Sequence, residues 1–302
     1  MGLRFHSAPR CDHPVMLVGW PGIGHVGIIA VDGLRKAVGA EPIGEIEPWD
    51  FFYPSKAIFK GGVLEELAFP RNTFYYKRHE GRDLLFFIGD EQPSAENKAY
   101  AEGIKAYKLA QLVLDAAARF GCRRIYTSGA AVAAIHHSMI PQVWAVPTGP
   151  ELLDEVKRIP NAVLMNEGSI SGLNGLLLGV AKERGFAGMC VMGEVPMYVA
   201  HFPLPYPRAS RSVMQFLIGA LGITADLGGL DQSIKESDGQ LEEIYKKIPA
   251  EMRAQLEKLR EGREVRTQGE AAETHEREFM EGIGRLIEDI DKSLQDGGKR
   301  GE

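Results

Sequence analysis

Cysteine is scarce in this 302-residue chain: Cys11, Cys122 and Cys190 lie far apart and form no C-x-x-C pair. So sparse and odd a set fits reduced thiols of a cytoplasmic protein better than a disulfide framework. No apolar run approaches the roughly 18 residues of a membrane span, so no membrane partner is expected. The opening MGLRFHSAPRCDHP lacks an apolar stretch, so no secretory leader is expected either. Gly2 alone does not make a lipidation signal. Charge of neither sign dominates: 35 Lys and Arg stand against 41 Asp and Glu, a net −6 that excludes a nucleic-acid footprint. Three catalytic signatures are missing as well. There is no H-E-x-x-H for a metal, no G-x-S-x-G elbow for a serine nucleophile, and no G-K-[ST] ending for a Walker loop.

Apolar residues, by contrast, make up 44% of the chain, enough for a sizeable core, and 35 glycines point to many tight turns. The run 15–20 (VMLVGW) reads as a buried strand entering a Pro21-Gly22 turn. Ile28, Val31, Leu34 and Val38 then recur at helical spacing, and Gly39 is placed to end that helix. Residues 42–47 form the next strand, so the chain opens with the strand–helix–strand unit from which parallel sheets are built. Segments 63–69, 74–77 and 84–88 read as antiparallel strands set into, or beside, that sheet. The uniformly apolar 84–88 returns to the core. Ser94 suits a helix cap, and Ile104, Tyr107, Ala110, Leu114 and Ala117 line one face of the helix closed by Gly121. Strands at 125–128, 143–146, 162–165 and 187–192 alternate with helices up to 208–221. The pattern predicts a three-layer α/β/α sandwich over residues 1–230.

From 231 to 302 the texture changes to 19 acidic and 13 basic side chains with no strand pattern. Met252, Leu256 and Leu259, and then Phe279, Ile283, Leu286 and Ile290, make two narrow helical stripes, each too short for a coiled coil. This charged helical extension packs either on its own domain or against another copy, and the body is expected to fold without it.

Three segments carry residues suited to chemistry. Gly22-Ile23-Gly24-His25-Val26-Gly27 satisfies G-x-G-x-x-G between a strand and a helix, where glycines let a diphosphate approach helix amides. Glu45 or Glu47, about 20 residues on, could take a ribose hydroxyl. The same glycines equally serve a sharp strand-to-helix bend. Gly89-Asp90-Glu91-Gln92-Pro93 ends an apolar strand, and Glu194 and Ser128 end two more. Carboxylates and hydroxyls at strand ends are catalytic in some sheets and turn residues in others. If the strands are parallel neighbours, Gly24, Asp90, Ser128 and Glu194 rim one sheet edge, a cleft suited to a nucleoside. His136 and His137 adjoin at a helix or its end and point apart, the wrong spacing for a metal site. No catalytic set, cofactor or metal emerges.

Together these segments resemble the proteasome assembly chaperone 2 family over about residues 10–225. Gly19-Trp20-Pro21-Gly22-x-Gly24-x-x-Gly27 is similar to that family's first strand–helix junction, and Gly89-Asp90-x-Gln92-Pro93 to its strand-end motif. Residues 125–129, the loop 168–175 and Gly193-Glu194 fall in the family's order. The resemblance implies a fold like that of purine nucleoside phosphorylases and no catalytic residues. It also implies self-association and protein partners, proteasome subunits where the organism has them. Longer bacterial-type relatives carry a helical C-terminal extension. The family's hydrophobic–Tyr–X docking tail has no counterpart in Gly298-Lys299-Arg300-Gly301-Glu302, so docking by that tail is not expected. The reading that follows is a non-catalytic, homo-oligomeric protein-binding module. Its rival is a nucleoside- or nucleotide-binding enzyme using the sheet-edge cleft.

Overall fold

The computed structural model describes residues 2–93, 103–200 and 202–248, with scattered positions from 250 to 260. The Ser94 cap, Met252, Leu259 and the stripe at 279–290 lie outside the described residues. In chain order the first elements are β1 (Leu3–Phe5), β2 (Val15–Gly19), α1 (Val26–Ala37), β3 (Glu41–Ile46), β4 (Lys56–Lys60) and β5 (Val63–Ala68). Then come β6 (Asn72–His79), β7 (Arg82–Gly89), α2 (Ile104–Arg119), β8 (Arg124–Ala133), β9 (Val143–Pro147) and α3 (Leu153–Arg158). The series closes with β10 (Ala162–Leu164), α4 (Gly172–Glu183), β11 (Ala187–Pro196), α5 (Met197–Ala200), α6 (Pro207–Leu221) and α7 (Asp231–Lys247).

Nine strands share one sheet in the order β1-β3-β6-β7-β2-β8-β11-β9-β10. Its centre, β7-β2-β8-β11, is parallel. Antiparallel pairing brings in β6, β3 and β1 on one flank and β9 on the other, with β10 parallel to β9. Uniformly apolar strands belong to sheets covered on both faces, and β7 is such a case. Leu84, Phe86 and Ile88 enter one apolar layer while Leu85 and Phe87 enter the other. Helices α1, α6 and α7 contribute to the first layer, α2 and α4 to the second. The result is the expected three-layer α/β/α sandwich. The described part of the extension packs back on this body, with Leu241, Tyr245, Ile248 and Leu256 in the first layer.

The structure corrects the sequence reading of the strand after α1 and of the buried face of α2. The strand after α1 does not return beside β2: β7 and β6 lie between β2 and β3. At about 4.8 Å per strand, β3 is roughly 14 Å from β2. In α2, Ile104 and Tyr107 are exposed, and Ala106, Leu109 and Val113 line the buried face with Ala110, Leu114 and Ala117. So many residues of α2 are apolar that its spacing fits more than one face.

The two antiparallel segments take different places. β6 and β7 belong to the sheet, whereas β4 and β5 pair only with each other as a separate ribbon.

Candidate functional site

The bend after β2 is shaped by close packing. Gly24 has φ +58, and a Cβ there would meet the Tyr206 Cβ at 3.0 Å. Its carbonyl accepts a hydrogen bond from the Tyr206 amide at 2.8 Å, so the start of α6 sits directly on the bend. At Gly27, in the first turn of α1, a Cβ would lie 2.2 Å from the Ser128 carbonyl oxygen. The helix therefore rests on the backbone of β8, and only hydrogen fits between them. Gly22 is different: it is extended, with nothing within 4 Å of a Cβ. His25 is exposed, at φ +50.

The strand-end motif after β7 closes on the same bend. Gly89 lies beneath the buried indole of Trp20, whose Nε1 would be 2.1 Å from a Cβ at that position. Gln92 donates from Nε2 to the Pro21 carbonyl at 2.5 Å and accepts from the Leu173 amide at 2.9 Å. One side chain thus ties the β2–α1 bend to the first turn of α4. Asp90 turns the other way. Its Oδ2 accepts from the Arg71 amide at 3.0 Å and from Arg71 Nε at 3.2 Å, which clamps the two ends of the β6–β7 pair.

Glu194 is 1% exposed, within β11. Its Oε2 accepts from the Gln142 amide at 2.8 Å and its Oε1 from Trp144 Nε1 at 2.9 Å, fixing β11 to the start of β9. Ser128 is buried in β8, and its hydroxyl has no hydrogen-bond partner among the described residues. The four strands are parallel neighbours as expected, so Gly24, Asp90, Ser128 and Glu194 share the sheet's C-terminal side. Their polar groups do not converge: Asp90 faces Arg71 and Glu194 faces β9. Glu45 and Glu47 stand on and beside distant β3, and Glu47 pairs with Arg4 at 3.1 Å. Two open depressions of about 720 and 950 Å3 lie elsewhere, along α1–α6–α7 and along α3, and neither is lined by any of these residues.

Three features escaped the sequence reading. The Trp20 indole N–H and the Asn72 carboxamide, beside Gly89, are buried without hydrogen-bond partners among the described residues. A lone Asn opening a strand gives no signal of that. His136 and His137 sit in a loop rather than on a helix, and their rings stack with centroids 4.2 Å apart instead of diverging. His137 Nδ1 meets the Tyr198 hydroxyl at 2.7 Å, its Nε2 meets Glu242 at 3.3 Å, and Tyr245 lies edge-on against both rings. Burial lowers both histidine pKa values; for His136 the neighbouring imidazole adds to the effect, and Glu242 opposes it at each ring. The pair anchors α7 to the body. Among the described residues, no three His, Cys, Asp or Glu side chains are grouped to hold a metal ion, and no helix is long and apolar enough to cross a membrane.

Comparison with known proteins is consistent with this arrangement. The model of the PAC2 family matches residues 16–245, a span that takes in the bend, the Gln92 latch, Glu194 and most of α7. The chain belongs to the PAC2 family. The uncharacterized protein MJ1210 of Methanocaldococcus jannaschii is 26% identical over 243 residues, covering 80% of this chain and 86% of its own. The crystal structure of Pyrococcus furiosus PbaB, an archaeal proteasome activator, is similar at a TM-score of 0.65 and 25% identity, over 80% of this chain and 97% of PbaB. P. furiosus PbaA, an archaeal homolog of proteasome-assembly chaperone, shares the fold at a TM-score of 0.59 and 20% identity, over 85% of this chain and 99% of PbaA.

Proposed function

We propose that this PAC2 protein is a non-catalytic, homo-oligomeric protein-binding module of the cytoplasm that assists assembly of a larger complex. Its partners are proteins, proteasome subunits where the organism has them. One observation carries the reading: apart from the Ser128 hydroxyl, the polar groups that looked like chemistry are used up inside the fold. Gln92 is bonded at both ends, Asp90 is held by Arg71, Glu194 by Gln142 and Trp144, and Gly24 by Tyr206. Family membership and the likeness to a proteasome activator support the same reading. The charged segment 231–302 is proposed as an extension held to the body through α7.

The rival, a nucleoside or nucleotide enzyme, has its own support in the unpartnered Ser128 hydroxyl, Trp20 N–H and Asn72 amide. Melting the protein with nucleosides, inorganic phosphate and dinucleotides separates the two readings. A ligand at 100 times its dissociation constant adds about 2.7 kcal/mol of stability. The binding-module reading expects no shift and co-purification of a protein from the native organism. A reproducible rise that disappears in Ser128→Ala would overturn it.

A further inference from the structure

Helix α7 follows the last strand and takes no part in the sheet. Of its 17 residues, Ser237, Leu241 and Tyr245 are buried. Its other ties are polar. Arg208 meets Asp238 through two hydrogen bonds of 2.7 Å, Arg211 pairs with Asp231, and the Ser237 hydroxyl donates to the Pro205 carbonyl at 3.0 Å. Elements with so few buried apolar contacts open locally at low cost.

The far end of α7 sits on His136 and His137, and the ring nitrogens define which form it holds. His136 Nδ1 accepts from the Ser138 amide at 3.2 Å. The Tyr198 hydroxyl accepts from the His137 amide at 2.8 Å, which leaves its own proton for His137 Nδ1 at 2.7 Å. Both rings are thus neutral acceptors at Nδ1. A proton added there makes each nitrogen a donor, set against the Ser138 N–H in one ring and displacing the Tyr198 proton in the other. It also places positive charge on two buried rings whose centroids are 4.2 Å apart. The surrounding charges offset little of this. Glu242 on α7 and Glu257 beyond it attract, but their side chains are 51% and 37% exposed, and water screens such pairs. Asp238 is already held by Arg208, and Arg208 and Arg260 repel an imidazolium. Burial pushes the Tyr198, Tyr206 and Tyr245 hydroxyls above their usual range, so they stay neutral.

We propose that α7 is an acid-released strap: below about pH 6.5, protons on His136 and His137 detach it from a sandwich that stays folded. Detachment opens both rings to water, where they take up protons without these penalties, so docking is complete above that pH and is lost as pH falls. The device goes beyond the proposed function and needs no partner.

Hydrogen exchange of the full-length protein by mass spectrometry at pH 7.5 and 5.5 tests this, with labelling times scaled for the pH dependence of chemical exchange. One linked proton changes an opening equilibrium up to tenfold per pH unit, so protection of residues 231–247 should fall about tenfold. Protection of 15–19 and 124–133 should hold within about twofold. His136→Phe with His137→Phe should abolish the response of α7. Melting curves check that this variant is folded; if it is not, His136→Phe alone takes its place and should respond less than the wild type. Equal losses in α7 and the two strands overturn local release. Unchanged or rising protection of α7 overturns acid release. An undiminished loss in the variant assigns it to Asp231 and Asp238 and overturns the role of the histidines.

Discussion

Replacing Gly27 by alanine tests whether the bend at 22–27 is built for packing. The new Cβ would lie 2.2 Å from the Ser128 oxygen, 2.6 Å from its carbonyl carbon and 3.1 Å from the Gly129 nitrogen. All three are backbone atoms of a strand paired on both sides, so α1 itself must move. Overpacking costs about 1–3 kcal/mol, and a rigid backbone obstacle places this site at the top of that range. Alanine's better helix propensity returns at most about 1 kcal/mol, less in a first turn. The expected net loss is about 2 kcal/mol. For a chain of this size that is a fall in melting temperature of about 4–8 °C. Gly22→Ala is the control: the position is extended and nothing lies within 4 Å of the new methyl. It should stay within about 0.5 kcal/mol of the parent. Urea titrations with matched slopes give the comparison. Equal midpoints for the two variants would refute the packing account. A large loss at 22 with none at 27 would invert it.

The thiols and the histidine pair give two further tests. Burial pushes Cys122 up to about 12 and Cys190 to about 11, and burial with the Asp83 carboxylate nearby takes Cys11 to about 11. A disulfide reagent near neutral pH should therefore label native protein slowly and all three cysteines rapidly in denaturant, since the thiolate is the reactive form; prompt labelling of native Cys122 or Cys190 would contradict the core assignment. For His136 and His137 the folded pKa lies below the unfolded one, so the unfolded chain takes up protons first as pH falls. Their contribution is complete above about pH 6.5 and is lost as pH falls from there through the depressed folded values. The urea midpoint should drop as pH falls below about 6.5, and more steeply than in a His136→Phe, His137→Phe variant. Identical slopes would show that the pair does not titrate differently on folding.

Where both faces of a strand are covered, the sequence was a sufficient guide. The runs 15–19 and 84–88 are apolar throughout because alternate side chains enter opposite layers, and Gly39, Gly121 and Gly185 end their helices in left-handed backbone. Long-range neighbours were not legible. Nothing local tells β3 to pair with β6 rather than β2, so the ribose role suggested for Glu45 or Glu47 had no geometric basis. Glu194 looked like a rim carboxylate because its partners, Gln142 and Trp144, lie about 50 residues away in sequence. The β4–β5 ribbon was legible as a hairpin beside the sheet, but its apolar face was not. Its bulge interrupts the two-residue alternation, so VLEELA does not display the apolar face that the register creates.

In open α/β sheets a ligand crevice arises where chains leaving adjacent strands depart to opposite faces. Here β2 leads to α1 in the first layer, while α2, the next described helix after β7, lies in the second; β2 and β7 are parallel neighbours. That is the place where a nucleotide fold would hold its diphosphate. This chain fills it with its own groups: Trp20 covers Gly89, and Gln92 spans from Pro21 to the first turn of α4. The two motifs that suggested phosphate and sugar contacts are halves of one latch. A latch of that kind ties the sheet edge together and leaves recognition to the outer surface, where, among the described residues, Phe59, Val63, Leu64 and Leu67 of the ribbon stand uncovered.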